Sequence, residues 1–247
     1  MKLGVIIQAR MGSTRFPGKV LEEMYNGQTL LDLILMNLKA LSQQLIIATT
    51  DQKIDESIIN VAKSHRVDYY CGDEENVLER FINAAEYFQI SDIIRICADN
   101  VFVQNEFLMK LIDNAHLNYD YMSYEINGIN AILTHWGFFG EYVTLNALKK
   151  VKSKTNKLMY QEHVTNYIYT HPNEFNIKYW DVPQKLSLED VRLTIDTVED
   201  FDICVDIIEY LNTHNLEWNY KNIINYLENN PKLFQKMREN IKKNRKF

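Results

Sequence analysis

The sequence predicts an α/β fold built on a doubly wound, mostly parallel sheet, with a smaller antiparallel and helical region. Up to about residue 97, short apolar runs typical of strands buried on both faces alternate with amphipathic helical segments. From about residue 119 this regularity fades. A chain of 247 residues is long enough to bury the core of one such domain with additions.

The first half of the chain carries the alternating pattern. Short right-handed connections between parallel strands bring the carboxyl ends of the strands to one edge of the sheet, where ligands bind. We predict strands at residues 3–7, 45–49, 67–70 and 92–97, and helices at residues 29–41, 54–64 and from the break at 72–75 to about 88.

The second half is less regular, and one of its strands is expected to be antiparallel. We predict strands at residues 121–125, 131–134, 175–180 and 192–195, and helices at 144–151, 158–169, 199–211, 220–228 and 231–242. No linker rich in Pro, Gly or Ser divides the chain, so we predict one domain over residues 1–247. Within it we distinguish a core (1–118), a second region (119–190) and a last core strand with C-terminal helices (191–247).

The composition excludes several classes of function. The formal net charge of −6 argues against a general nucleic-acid binder, which normally presents a basic face. Cys71, Cys97 and Cys204 are too few and too widely spaced for a disulfide framework or a zinc site, which favours a reducing compartment. The sequence shows no charged-then-apolar leader and no apolar span of about 18 residues. We therefore expect a cytoplasmic protein without a membrane or nucleic-acid partner.

A cationic loop directly follows the first predicted strand. It carries Arg10, Arg15 and Lys19 around Gly12 and Ser13. Glycine lets a backbone approach a ligand closely, successive N–H groups can form an anion-binding concavity, and arginine forks suit phosphate oxygens. The loop is neither a Walker loop nor a dinucleotide fingerprint. It predicts a polyphosphate site, the alternative being a solvated basic turn after an edge strand.

Two aspartates follow segments that are predicted to be strands. Asp99 comes after residues 92–97, and Asp196 comes after residues 192–195. Mg²⁺ beside a polyphosphate is normally held by one or two carboxylates together with phosphate oxygens. Both residues are therefore candidate Mg²⁺ ligands, although Asp99 fits a turn or helix cap equally well, and Thr197 offers an alternative cap beside Asp196.

The loop is where a family resemblance enters. Its sequence, QARMGSTRFPGK at residues 8–19, resembles the motif of cytidylyltransferase-like sugar nucleotidyltransferases of the spore-coat polysaccharide type, related to CMP-Kdo and CMP-neuraminate synthetases. Phe16 replaces a leucine of that motif. Further similar stretches are GDEENVLERF at 72–81, QEHVT at 161–165 and RLTIDTVED at 192–200, whereas RICADNV at 95–101 lacks the family's glycine and proline.

The resemblance implies a Rossmann-like, GT-A-like fold and transfer of a nucleoside monophosphate, with release of pyrophosphate. It implies CTP as the donor, Arg10, Arg15 and Lys19 as catalytic phosphate-binding groups, and Asp99 and Asp196 as the Mg²⁺ ligands. The remaining nucleotide-binding candidates are Gln8, Ala9, Gly12, Ser13 and Arg80. Arg80 equally suits an ion pair with Asp73 or Glu79.

The acceptor is expected to be a small sugar-like acid or phosphate for a surface polysaccharide. Here the chain departs from the family's substrate stretch, and His135 and Trp136 are candidate acceptor-binding residues, an ordinary half-buried strand being the alternative. Residues 119–190 would form the acceptor region and also the interface of a homodimer. A glycosyltransferase is a rival interpretation, but no Asp-x-Asp directly follows a predicted strand. A non-catalytic nucleotide-binding module is a second rival, but all five loop cations and metal acids are present.

Overall fold

A computed structural model describes residues 2–183, 186 and 190–244 of the chain. The described strands are β1 Leu3–Gln8, β2 Glu23–Tyr25, β3 Gln28–Thr29, β4 Gln44–Thr50, β5 Asp68–Gly72, β6 Asp92–Cys97, β7 Tyr121–Ile126, β8 Ile129–Asn130, β9 Glu141–Thr144 and β10 Ile177–Asp181. The described helices are α1 Leu30–Leu38, α2 Glu56–His65, α3 Val77–Tyr87, α4 Asn105–Asp113, α5 Leu145–Lys154, α6 Leu158–Glu162, α7 Asn166–Thr170, α8 Val198–Thr213, α9 Tyr220–Glu228 and α10 Pro231–Lys243.

The sheet confirms the predicted fold class. Its strands lie in the order β10-β7-β9-β6-β1-β4-β5, with β8 paired to β7. The strands β6, β1, β4 and β5 are mutually parallel, and β10 runs parallel to β7, whereas β9 pairs antiparallel with both β6 and β7. The sheet is therefore mixed but mostly parallel, and β2 and β3 form a separate small antiparallel sheet.

Helices cover both faces of the sheet, as a doubly wound fold requires. Val5 and Ile7 of β1 point into a core shared with α1, α4, α8, α9 and α10. Ile6 points to the opposite face, into a core shared with α3, α5 and α7. This alternation within one fully buried strand places the carboxyl end of β1 at the centre of the sheet, between those of β6 and β4.

Three predicted elements of the second half are wrong. Residues 131–134 form a short 3₁₀ turn (Ala131–Leu133), and residues 158–169 form two short helices, α6 and α7, with a break at 163–165. Residues 192–195 form no strand and pair with none of the described strands. The N–H groups of residues 193–195 donate instead to the carbonyls of His135 and Asp99, so this segment belongs to loops at the edge of the sheet.

Several elements were not predicted, namely the β2–β3 hairpin, α4 and β9. The antiparallel strands of residues 119–190 continue the main sheet. All three cysteines are free thiols. Within the described ranges, no helix is both long enough and apolar enough to cross a membrane.

Candidate active site

The cationic loop is anchored at its start by a buried carboxylate. Asp55, only 1% exposed, accepts the backbone N–H of Met11 at 2.7 Å and also accepts the hydroxyl of Thr50. Farther along the loop, the N–H of Gly18 donates to the Met11 carbonyl at 2.9 Å. A buried carboxylate holding backbone N–H groups fixes a loop more firmly than neutral hydrogen bonds do. Asp55 was missed because no local pattern links it to residues 10–19.

Lys19 is turned inward by the end of the loop. Gly18 adopts φ +76°, a left-handed conformation that favours glycine, and a short 3₁₀ turn begins at the next residue. The Lys19 ammonium donates to the carbonyl of Ile195 and lies 3.7 Å from Asp99 Oδ2 and 3.7 Å from Asp196 Oδ1. The lysine residue is only 9% exposed, so its charge acts at this point rather than in bulk water.

Asp99 and Asp196 therefore lie at equal distances from a single nitrogen, although they are 97 positions apart in the sequence. The backbone joins them as well, because Ile195 N–H donates to the Asp99 carbonyl at 2.9 Å. Arg15 Nη2 adds a second cation at 3.0 Å from Asp196 Oδ1. Both carboxylates are partly exposed, with 28% and 23% of their side-chain surface accessible, so a ligand can reach them.

The donor set fits a hard divalent cation. Mg²⁺ takes oxygen ligands and is held by one or two carboxylates together with substrate phosphates. The structure offers two carboxylates at a point where a cationic group is already accommodated. Among the described residues there is no cluster of three or more His, Cys, Asp or Glu side chains that could hold a metal.

A fully buried ion pair lies behind Asp196. Arg192 and Asp200 are both 0% exposed, and Arg192 Nη2 reaches Asp196 Oδ2 at 3.0 Å as well as Asp200. Burial alone would lower the pKa of Arg192, but its bonds to the two carboxylates outweigh burial and raise that pKa. Sequence reasoning assigned neither Arg192 nor Asp200 a role. Both lie in the similar stretch at residues 192–200, but their burial and their arrangement around Asp196 are visible only in the fold.

Arg10 and Arg80 come together on the other side of the loop. Arg10 Nη1 lies 3.4 Å from the Glu74 carbonyl, and Arg80 Nη1 donates to the Asp73 carbonyl at 2.7 Å. Arg80 is 0% exposed, yet its Nε and Nη2 have no hydrogen-bond partner. Burial, followed by the charge of Arg10, lowers the pKa of Arg80 to about 10. Two guanidiniums, of which Arg80 has two unsatisfied nitrogens, form an arrangement that an anion would stabilise.

The backbone groups of the loop are less open than the sequence suggested. Ser13 N–H donates to the Met11 carbonyl at 2.9 Å, and Ala9 N–H donates to the Ala48 carbonyl at 3.3 Å. Neither N–H therefore points to a ligand in this conformation. A β-carbon at Gly12 would lie 2.9 Å from a carboxylate oxygen of Glu74, so the glycine allows that side chain to come close to the loop.

Gln8 is oriented by a buried polar network. Arg95 Nη2 donates to Gln8 Oε1 at 3.1 Å, and Arg95 Nη1 donates to Glu141. Glu141 also accepts the hydroxyls of Tyr121, at 2.5 Å, and of Thr165, at 2.8 Å. Because arginine has donors only, the amide nitrogen of Gln8 is the group left to meet a ligand.

The two candidate acceptor residues lie in different surroundings. Arg192 Nη1 is 3.0 Å from His135 Nδ1 and 3.4 Å from Nε2, which places the guanidinium against the face of the imidazole ring. Burial, and then the charge of Arg192, lowers the pKa of His135. Trp136 is 3% exposed and packs in the main core against Phe138, with ring centroids 5.4 Å apart. His135 thus lies beside Asp196, whereas Trp136 is part of the core.

Comparisons with known proteins agree with this architecture. The chain matches the family model for cytidylyltransferases over residues 4–243. It is 38% identical to the spore coat polysaccharide biosynthesis protein SpsF of Bacillus subtilis over 209 residues, covering 80% of this chain and 82% of that protein.

Two solved structures extend the comparison. A cytidylyltransferase from Leptospira borgpetersenii superimposes with a TM-score of 0.83 at 27% identity, covering 95% and 97% of the two chains. A CMP-2-keto-3-deoxy-manno-octonic acid synthetase in complex with CTP has a TM-score of 0.58 at 14% identity, covering 87% and 100%, and so shares the fold. The chain belongs to the cytidylyltransferase family and is a nucleotidyltransferase.

Proposed function

We propose that this enzyme uses CTP and transfers CMP to a small sugar-like acid or phosphate, in the synthesis of a surface-polysaccharide precursor. The observation that carries the proposal is the convergence of Lys19, Asp99 and Asp196 at the end of a cationic loop. The names of two similar proteins support the finer assignment, since one makes spore coat polysaccharide and the other was solved with CTP.

The proposed reaction is a displacement at the α-phosphorus of the nucleotide. An acceptor oxygen forms a new bond to that phosphorus, the bond from phosphorus to the bridging oxygen breaks, and its electron pair leaves with pyrophosphate. The proton of the acceptor passes to solvent. Charge accumulates on phosphate oxygens, so catalysis depends mainly on positioning and on neutralising that charge.

The loop cations supply this neutralisation. Arg15 and Lys19 lie beside Asp196 and would bind the phosphates at the reacting end. Arg10, together with the unsatisfied nitrogens of Arg80, would bind the nucleotide on the opposite side of the loop. The N–H groups of Gly12 and Ser13 would add to this cradle, Ser13 after its bond to Met11 is released.

Asp99 and Asp196 would hold Mg²⁺, and the residues present fit that ion. When bound, it would add positive charge next to the phosphate oxygens. Asp196 Oδ2 accepts a hydrogen bond from Arg192, whereas Oδ1 lies next to Arg15 and Lys19. Oδ1 is therefore the oxygen of this residue that lies on the side of the loop cations. We propose that Lys19 moves from the carboxylates to a phosphate when the nucleotide binds.

The base would lie near Gln8 and Ala9, with the amide nitrogen of Gln8 and the carbonyl of Ala9 as the groups that meet it. His135 would contact the acceptor, because it lies beside Asp196, and Trp136 would act through packing. The homodimer through residues 119–190 stays a prediction. Exposed Leu158 and Met159 on α6 are apolar surface that a second subunit would cover.

Pyrophosphate release tests the proposal. Each of the four nucleoside triphosphates would be combined with Mg²⁺ and a panel of acidic sugars, sugar phosphates and polyol phosphates, and the product identified by ³¹P NMR. CTP with at least one of these acceptors should give pyrophosphate and a CMP conjugate. Asp196→Asn should abolish the signal, and Asp190→Asn, at an exposed ion pair, should not. A preference for another triphosphate would overturn the assignment of the donor.

A further inference from the structure

We infer that Arg192 and Asp200 are positioning residues for Asp196, and that the C-terminal helix α10 completes this arrangement through Asn240. The inference rests on the proposed function, because it takes Asp196 as a metal ligand. It assigns a role to a buried ion pair and to a helix that the sequence left without one.

The ion pair has the geometry of a two-pronged contact. Arg192 Nε lies 2.7 Å from Asp200 Oδ1, and Arg192 Nη2 lies 2.9 Å from Asp200 Oδ2. Two parallel bonds between a guanidinium and a carboxylate fix the orientation of both groups. Both residues are fully buried. A buried ion pair is weak evidence for stability, because desolvation offsets most of the attraction, so its presence here calls for another explanation.

Asp200 also fixes the backbone around Asp196. Its Oδ2 accepts the N–H of Asp196 at 3.1 Å and the N–H of Thr197 at 3.0 Å. In turn, the hydroxyl oxygen of Thr197 accepts the N–H of Asp200 at 3.2 Å, which caps α8. The residue that begins the helix and the residue that faces the site are thus held by one carboxylate.

Arg192 connects this carboxylate to the functional one. Its Nη2 is shared between Asp200 Oδ2 and Asp196 Oδ2, at 2.9 and 3.0 Å. The Oδ2 atom of Asp196 is therefore held on the protein side, and Oδ1 is turned to Arg15 and Lys19. Arginine can make this bridge because its nitrogens lie in one rigid plane. A lysine in its place carries the charge but has no fork.

The last helix, α10, also contacts this ion pair. Asn240 of α10 donates its amide to Asp200 Oδ1 at 3.2 Å, and Met237 Sδ accepts the backbone N–H of Arg192 at 3.5 Å. Asn240 shares the buried face of α10 with Leu233 and Met237, at a spacing where an apolar residue is expected, and is only 4% exposed. A polar group at such a position needs a partner, and Asp200 is that partner.

Metal binding by the whole enzyme tests the inference without any acceptor. Mn²⁺ serves as a paramagnetic probe, and its dissociation constant is measured by electron paramagnetic resonance in the presence of CTP. CTP binding without metal is measured separately by calorimetry. For Arg192→Lys we expect Mn²⁺ affinity to fall about tenfold to hundredfold, the range typical for outer-shell partners, with metal-free CTP affinity unchanged.

Arg238 of α10 provides a matched control. Arg238 pairs with Asp190 at 2.7 Å on the surface, so Arg238→Lys makes the same substitution outside the arrangement and should leave both affinities unchanged. Asn240→Leu provides a second variant that keeps size and helix formation but removes the donor to Asp200. It should lower Mn²⁺ affinity about tenfold, which keeps the inference testable if Arg192→Lys does not fold.

The outcomes separate this inference from the proposed function. Unchanged Mn²⁺ affinity in a folded Arg192→Lys or Asn240→Leu enzyme would overturn the positioning role, and so would an equal loss of metal and metal-free CTP binding, which would indicate a structural role alone. If Asp196→Asn bound Mn²⁺ as well as the unaltered enzyme did, the metal assignment of the proposed function would fail first.

Discussion

The ammonium of Lys19 lies 3.7 Å from the carboxylate of Asp196 and at the same distance from a second carboxylate, that of Asp99. A positive charge thus already lies beside both candidate metal ligands. Since like charges repel strongly in a partly buried site, the lysine and a metal ion compete for these oxygens unless phosphate draws the lysine away.

This competition predicts opposite effects for Lys19→Met. Mn²⁺ affinity without nucleotide should rise, because the ammonium no longer occupies the carboxylates. CTP affinity should fall by about 1.5–3 kcal/mol, the usual loss for a hydrogen bond to a charged group. Calorimetry of Mn²⁺ and of CTP, each alone, measures both effects. Lys39→Met, at an exposed position after α1, is the control and should change neither.

Glu141 is expected to matter for stability more than any surface carboxylate. It is 1% exposed and accepts bonds from Arg95, Tyr121 and Thr165. Glu141→Gln leaves the buried charge of Arg95 without its partner, which typically costs about 3–5 kcal/mol of unfolding free energy.

Urea unfolding measures this loss against a matched surface pair. Glu86 and Lys149 lie 2.6 Å apart with about half of each side chain exposed, so Glu86→Gln should cost less than about 1 kcal/mol. Equal losses for the two substitutions would contradict the role given to the buried network.

The first half of the fold was predictable because local pattern and tertiary structure agree there. The strand at residues 92–97 was predicted with the bounds found, since its isoleucines at 93, 94 and 96 match a strand that is buried on both faces. Residues 192–195 show the limit of this reasoning. Leu193 and Ile195 are also buried, but the N–H groups of residues 193–195 pair with the carbonyls of His135 and Asp99, and such distant partners leave no trace in the local sequence.

The residues of the candidate site likewise include some that local sequence indicated and some that it did not. A motif of neighbouring residues pointed to the cations and to the two aspartates, and the structure brings Lys19, Asp99 and Asp196 to one edge of the sheet. Asp55 carries no such motif, and Asp200, although it ends the similar stretch at residues 192–200, has no local pattern that marks it as buried. Each acts by receiving N–H groups in a buried position, and burial is a property of the fold rather than of neighbouring residues.

Asp32 of α1 bonds to His65 of α2, and this contact should make the stability of the protein decrease at acidic pH. Burial would raise the pKa of this carboxyl, but bonds from Thr29 and His65 outweigh burial and lower that pKa from its ordinary value. A carboxyl with a lowered folded pKa contributes stability that is present above its unfolded pKa and lost as pH falls through the folded pKa. As the pH falls below about 4, the stability of the Asp32→Asn variant should therefore decrease less than that of the unaltered protein. Thermal unfolding from neutral to acidic pH checks this, and parallel curves for the two proteins would refute it.

Arg80 offers a direct test of whether a buried cation serves the fold or the ligand. Its charged form is disfavoured in the folded protein, because burial and the charge of Arg10 lower its pKa to about 10. That penalty is present at all pH values below the lowered pKa, including neutral pH. Arg80→Met removes the penalty and gives up one bond, to the Asp73 carbonyl. We expect a variant at least as stable as the unaltered enzyme, with CTP affinity about tenfold weaker, since the two unsatisfied nitrogens are the groups left to meet an anion.

Urea unfolding and CTP calorimetry measure the two quantities on the same sample. Loss of stability with unchanged CTP affinity would show that Arg80 has a structural role and does not bind the nucleotide.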